Sequence, residues 1–464
     1  MKRLDPLHFI GIGGSGMSSL AFYFHEKGLR VQGSDSAESP TLEEMRAKGI
    51  PIFIGHHASN LTQAKTVVFS SAIESQNPER IAAREQGLLL LHRSDLLSDE
   101  IKEKKKSITI SGTHGKTTTA FLLTHILESL QKNPSYIIGG QNLDTGSSCQ
   151  YNESSDYFIA ESDESDGSFL RYQPFGSIIT NIENDHLDYY QTLTQLEQAF
   201  IQHTTQVKEE GFIGINLDYV SNQHIMKQIN RPVLTFGFSE NAQLQILSFS
   251  SQASTTHVHL QYQNKTYSFS MPLLGKHNVE NATAALLATT ALKIPLEAAA
   301  QTLSTFKGVK KRWETHYHDE SLIVIEDYAH NPGKIQAAVS TAKNAYPSHQ
   351  VVVIFQPHRF ARLETAFLEF TQSFVGADLV CTVPVFSVRD TKNASVAYEA
   401  LIEQISTESK VPCFFAPDTH ALTSLLSQHV KNPALLLCVG AGNIRQLALL
   451  ARDHLCEKKR KETI

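Results

Sequence analysis

SGTHGKTTTA, residues 111–120, follows the β-branched run Ser107-Ile108-Thr109-Ile110 and leads into a stretch of helical pattern, and the fold turns on this junction. A strict P-loop carries a glycine five places before Gly115, but that position is Ile110, so the strict pattern fails. The physics of a shorter phosphate loop survives. Gly112 and Gly115 allow a tight turn around Thr113 and His114, and the first amides of the following helix point at an anion. Lys116 is placed to meet outer phosphates, Thr117 stands where such loops put the hydroxyl that holds magnesium, and Thr118 and Thr119 continue into the helix. The competing reading is a glycine-softened turn with a solvated lysine; the order strand, glycines, Lys-Thr, helix favours the phosphate loop.

At 464 residues the chain is too long for one hydrophobic core. With 41% hydrophobic and 19% charged residues it has an ordinary globular composition. Its net charge of -6 gives no electrostatic reason to expect nucleic acid or an anionic membrane as partner. Five scattered cysteines without Cys-x-x-Cys spacing argue against a disulfide framework or a thiolate zinc site. The N-terminal stretch MKRLDPLHFIGIGG has a proline and charges where a signal peptide carries its apolar segment, and no run approaches membrane-spanning length. A cytoplasmic protein without membrane insertion, monomeric or a weak homodimer, is the expectation. The tail CEKKRKETI reads as a solvated helix end.

Around the junction, apolar runs alternate with helical patterns: LHFIGI, SSLAFYFHEKG, LRVQGSD, TLEEMRAKG, IPIFIG and TVVFSSA before it. That rhythm is βαβ. The polar stretch SDEIKEKKKS marks a boundary near residue 101. After the phosphate loop come the strands YFIAESD and SIITNIE, a hairpin in which Val258, Leu260 and Tyr262 alternate before Asn264, and the helix NVENATAALLATTAL. A further boundary falls near TFKGVKKRWE, and the rhythm resumes with LIVIEDYAH, QVVVIFQPH and ALLLCVGAGNI. Three α/β domains are expected, 1–100 and 307–464 Rossmann-like and 101–306 of the P-loop ATPase type.

GIGGSGM, residues 11–17, places Gly11, Gly13 and Gly16 between a strand and a helix, with Asp35 at the next strand end. This is the dinucleotide-type fingerprint. It reports a diphosphate held close to backbone amides, which NAD, FAD or a UDP-sugar satisfies; on these residues alone NAD or FAD leads. Glu161 ends an apolar strand, where an NTPase carries its second-strand carboxylate for magnesium. Asp163, Glu164 and Asp166 crowd behind it, and a solvated acidic loop explains them equally well. A second strand ends in Asn181, Asp185 and His186, and a histidine there is a metal-ligand candidate.

Together these segments resemble the Mur ligase family, and within it the branch that joins L-alanine to UDP-N-acetylmuramate. The resemblance covers nearly the whole chain and is carried by GIGGSGMS, VVFSSAIESQNPE, SGTHGKTTT, ESDESDGSFL, TNIENDHLD, GKHNVENATAA, GVKKRWE, EDYAHNP, FQPHRFAR and VGAGNI, in family order. It implies that the first domain holds the UDP-sugar through Gly11, Gly13, Gly14, Ser15, Gly16, Met17, Ser34, Asp35 and Ser70, which displaces the NAD reading. It also implies ATP and Mg2+ in the central domain, on the loop from Gly112 to Thr118. Lys116 would lie on the phosphates, Thr117 and Glu161 on one magnesium, and His186 on a second. His277, Asn278 and Asn281 match nucleotide-binding positions, and Arg312 and Asp327 would close over the ATP. His358, Arg359 and Arg362 match positions that address the amino acid and the closing phosphates; an arginine pair suits an α-carboxylate.

The implied reaction is carboxylate activation to an acyl phosphate, followed by displacement by the alanine amine. Three departures stand out: ESDES for the commoner Glu-Ala-Asp, KKRWE for Arg-Arg-Phe, and AHNPGK, whose Asn331 is commoner in ligases that add later residues. The nearest rival is the murein peptide ligase, which attaches a recycled tripeptide and for which Glu-Tyr-Asp is expected where Glu164-Ser165-Asp166 stands. A non-catalytic nucleotide sensor and an NAD-dependent dehydrogenase are the rivals of other classes.

Overall fold

The computed structural model describes residues 4–252, 254–387 and 398–463, without the side chains of 187, 188 and 461–463. The first sheet comprises β1 (Leu7–Ile10), β2 (Val31–Asp35), β3 (Ile52–Ile54), β4 (Thr66–Phe69) and β5 (Leu89–His92) in the order β3-β2-β1-β4-β5. Every pairing is parallel. The order reverses at β1, so the crevice for a ligand opens at its C-terminal end, where Gly11–Gly14 lie.

The second sheet contains β6 (Lys106–Ser111), β7 (Ser135–Ile137), β8 (Cys149–Gln150), β9 (Tyr157–Glu161), β10 (Gly176–Ile179), β11 (Phe212–Asn216), β12 (Leu234–Gly237), β13 (Leu244–Gln252), β14 (Thr255–Tyr262) and β15 (Lys265–Met271). Its order is β15-β14-β13-β12-β11-β10-β6-β9-β7-β8. β6 runs parallel between β9 and β10, so the phosphate loop, Glu161 and Asn181 all emerge at one edge. The expected hairpin is β14 and β15, with Gln263 and Asn264 at φ 49° and 60° in its turn. The third sheet contains β16 (Glu314–His318), β17 (Leu322–Asp327), β18 (Gln350–Gln356), β19 (Leu379–Thr382), β20 (Cys413–Phe415) and β21 (Ala434–Gly440) in the order β16-β17-β21-β18-β19-β20. It is parallel except for the β16 edge.

The chain forms two compact units, one of Met1–Ser248, Val258–Ser270 and Glu280–Phe306, the other of Phe249–His257, Met271–Val279 and Lys307–Ile464. In the first, one continuous core runs from Leu7, Phe9, Tyr23 and Phe24 to Phe158, Phe169, Phe200 and Ile215. The lysine-rich stretch near residue 101 is not a free linker. It is the end of the helix Arg93–Glu103, with Ile101 buried and Glu100 buried between Tyr23 and Lys27, which donate to it at 2.9 and 2.6 Å. The core of the second unit lies on both faces of the third sheet. No helix among the described residues is long and apolar enough to cross a membrane.

Candidate active site

The turn after β6 needs both its glycines. Gly112 sits at φ 125°, where a side chain is strained and a Cβ would meet the backbone of Asn181 at under 3 Å. Gly115 caps the helix Lys116–Ser129 at φ 84°, with the Asn281 amide packed against its Cα. Asn181 fixes the loop between them: its Oδ1 accepts from His114 N at 2.8 Å, its Nδ2 donates to His114 O at 3.1 Å, and its carbonyl accepts from Thr113 N at 2.9 Å. Thr119 Oγ1 donates to Asn281 Oδ1 at 3.3 Å, fixing the first turn of the helix from another side.

Lys116, Thr117, Glu161 and His186 come together at this edge. Thr117 Oγ1 lies 3.1 Å from both carboxylate oxygens of Glu161, which also accepts from Gly139 N at 3.0 Å. The Lys116 ammonium donates to Gly112 O at 2.7 Å and to both oxygens of Glu164 at 2.9 Å. His186, at φ 58°, stands with Nε2 3.8 Å from Glu164.

Glu164 is the residue that sequence reasoning underrated. The solvated-loop reading of 163–166 is corrected by the structure: Glu164 is fully buried, with its carbonyl accepting from Tyr190 OH at 2.5 Å. Burial pushes its carboxyl up, against the pull of Lys116. Burial works against the charge on Lys116 too, but Glu164, Asp163 and Glu161 more than offset it and hold the ammonium above its ordinary value. The spacing of acids behind a strand was the available signal; their burial is set by tertiary packing.

In the first sheet's crevice, Gly11 N and Ile12 N both donate to Ser34 O, at 2.8 and 3.0 Å, and Gly13 N donates to the Asp35 carboxylate at 2.8 Å. Gly14 begins the helix Ser15–Glu26, in which Gly16 occupies the first turn and Met17 is buried. The Ser34 hydroxyl turns inward to the buried Glu79 at 2.6 Å, so this residue shapes the loop through its backbone. Ser70 follows β4, its carbonyl accepting from Ile73 N at 3.0 Å.

In the second unit the expected residues gather at the C-terminal ends of β17 and β18. Asp327 ends β17 and accepts from Trp313 N at 2.8 Å; burial raises its carboxyl against the charge of Arg312, whose guanidinium lies 5.1 Å from the Tyr328 ring centre. After β18, His358 Nδ1 accepts from Arg362 Nη1 at 3.2 Å, and Arg359 holds φ at 66° with its amide bonded to Phe386 O. His330, which spacing did not single out, is pushed down to about 2 by burial and by the charges of Lys334 and Arg362, so it is neutral; its Nδ1 donates to Tyr328 O at 2.7 Å. Asn331 caps the helix Pro332–Ala345, accepting from Lys334 N at 3.0 Å. His277 and Asn278 open the helix Lys276–Ala291, and Asn278 donates to Leu274 O at 2.8 Å.

Comparison with known proteins matches this layout. The Mur ligase family catalytic domain matches residues 6–105, the Mur ligase middle domain 110–289, and the Mur ligase glutamate ligase domain 311–442. The UDP-N-acetylmuramate--L-alanine ligase of Carboxydothermus hydrogenoformans is 33% identical over 96% of both chains, and that of Solidesulfovibrio magneticus 35% identical over 99% of both. Among solved structures, the UDP-N-acetylmuramate-alanine ligase of Thermotoga maritima superposes with a TM-score of 0.83 at 27% identity, covering 97% of this chain and 99% of that one. A murein peptide ligase from Psychrobacter arcticus shares the fold at a TM-score of 0.68 and 21% identity, over 97% and 98%. With relatives at this identity along its whole length, the chain belongs to the Mur ligase family.

Proposed function

We propose that the protein is an ATP-dependent ligase that joins L-alanine to the lactoyl carboxylate of UDP-N-acetylmuramate, with residues 1–100 holding the UDP-sugar, 101–306 the Mg-ATP and 307–464 the amino acid. The full-length relatives that carry this activity in their names support the reading. The observation that carries it is the convergence of Lys116, Thr117 and Glu161 on one sheet edge, behind a loop locked by Asn181. A carboxylate oxygen attacks the γ-phosphorus and the bond to ADP breaks; the alanine nitrogen then attacks the acyl carbon, loses a proton, and inorganic phosphate leaves.

Two anions must approach each other in the first step, and Lys116 supplies a fixed positive charge where they meet. The Thr117 hydroxyl and the Glu161 carboxylate form an oxygen pair suited to a hard cation, and His186 is the residue we assign to a second ion. Magnesium, when bound, supplies further charge neutralisation on the phosphates. Arg359 and Arg362 are assigned to the acceptor's carboxylate, with His358 oriented by Arg362. Asn331 caps the helix Pro332–Ala345 through its Oδ1, a role open to it with either acceptor.

The test is phosphate release by purified protein with ATP, magnesium and UDP-N-acetylmuramate. L-alanine and the L-Ala-γ-D-Glu-diaminopimelate tripeptide are supplied in separate reactions. Release with alanine is expected, glycine and serine being poorer by about 10- to 200-fold, the limit of a methyl-sized pocket. Preference for the tripeptide would overturn the acceptor assignment, and no release with any acceptor would overturn the activity.

A further inference from the structure

The segment Asp163–Asp166 does more than hold Lys116. Its two aspartates grip a single cation on the opposite side, Arg93, at the start of the helix Arg93–Glu103. Arg93 Nη2 lies 3.2 Å from Asp163 Oδ2 and 3.7 Å from Asp166 Oδ2. Both carboxylates are themselves oriented: Asp163 accepts from Ser165 N and Oγ, and Asp166 from Ser168 N and the Ser71 hydroxyl. Burial favours neutral acids here, yet Lys116 and Arg93 hold Asp163 below the ordinary carboxylate value. The guanidinium is therefore held in place from behind.

Its other terminal nitrogen faces the glycine loop. A Cβ built on Gly16 would come within 2.7 Å of Arg93 Nη1, so this nitrogen lies against the first turn of the helix whose amides address an anion. A side chain at Gly16 would have to displace the tip of Arg93. With Nη2 committed to the aspartates and Nη1 over the loop, the fork geometry of a guanidinium can serve both sides at once.

We propose that Arg93 is a diphosphate-binding residue of the sugar-nucleotide site, and that Asp163 and Asp166 are positioning residues that aim it. The inference rests on the sugar-nucleotide reading of the glycine loop. It adds a cation that neither the glycine fingerprint nor the acidic motif identifies.

UDP and uridine, titrated separately against the full-length protein, make the probes. Wild type is expected to prefer UDP. Arg93→Ala should weaken UDP by about 10- to 100-fold, the cost of a charge-assisted contact, while uridine and ATP change by less than about twofold. Arg93→Lys should fall between, keeping the charge and losing the fork. Asp166→Asn should weaken UDP in the wild-type background and have no further effect beside Arg93→Ala, because its action runs through Arg93. Retained ATP affinity reports that each variant is folded. Equal UDP affinity in wild type and both Arg93 variants would overturn the inference, as would a full additional loss from Asp166→Asn in the Arg93→Ala background. Failure of wild type to bind UDP at all would instead overturn the sugar-nucleotide reading beneath it.

Discussion

In the proposed role, Lys116 meets two requirements that conflict: a phosphate-binding ammonium has to be desolvated to act strongly, and a desolvated ammonium without a partner is costly. In the structure Glu164 meets the second requirement, with both of its oxygens 2.9 Å from the ammonium and its side chain fully buried. On that reading, an incoming triphosphate would compete with that carboxylate for the same charge. Glu164→Gln should therefore destabilise the ligand-free protein, by about 3–5 kcal/mol if the pair behaves as a broken buried ion pair. The same variant should bind ATP more tightly without magnesium, and saturating ATP should restore much of the lost thermal stability. Thermal denaturation and nucleotide titration check both halves; weaker ATP binding by the variant would mean that Glu164 helps to hold the nucleotide rather than competing with it. Arg93 presents the same logic from the other end of the acidic segment, with Asp163 feeling the charge of both cations.

Among the elements, the helix Leu193–Thr205 shows how a titratable group is tied to packing. Thr192 caps it, accepting from Gln195 N, and its buried face carries Leu196, Phe200 and His203. His203 Nδ1 donates to Phe169 O at 3.1 Å and its Nε2 accepts from the Ser177 hydroxyl at 3.0 Å, while the ring stacks on Phe169 at 4.9 Å. Both nitrogens are used by the neutral ring, and burial pushes the imidazole down to about 4. Between the unfolded value of about 6.5 and that folded value, the unfolded chain binds the extra proton. Stability is thus full above this window and falls as pH drops through it, by about 3 kcal/mol in total for this group. His330 acts with the same sign. Melting temperatures of wild type and His203→Gln from pH 7 to pH 4 should show a shallower acid loss in the variant; parallel curves would rule His203 out as a contributor. The strand-turn-helix junction at residues 111–120 and the place of Glu161 at a strand end were legible in sequence because their signals are local: glycines at a strand end, a Lys-Thr pair, and an acid closing an apolar run. Glu164 and Arg93 were not, because what defines them is burial against partners 48 and 70 residues away.

Across the whole molecule, the three α/β segments legible in the sequence become three sheets, yet the first sheet and most of the second fall in one compact unit. Alternating βαβ rhythm marks where a sheet begins and says nothing about whether two sheets share a core. Here they do: Tyr23, on the first helix, is fully buried with its ring 5.9 Å from Phe158 of β9 and 5.5 Å from Tyr151. Polar links follow the same seam, with Ser19 Oγ donating to Ile138 O at 2.9 Å and Ser98 Oγ to Arg171 O at 2.8 Å. A shared core should make the two sheets one cooperative unit rather than two domains joined by a linker. Phe158→Ala removes a ring from the second sheet's side of this core and should cost about 3–5 kcal/mol. If the sheets unfold together, native-state hydrogen exchange will show the amides of β1, such as Phe9, losing as much protection as those of Ile159 in β9. Faster exchange confined to the second sheet would mean that the seam opens before either side unfolds. In that case Arg93 and the acidic segment would be joined only while the seam stays closed, and Arg93→Ala would weaken UDP binding less as urea approaches the transition.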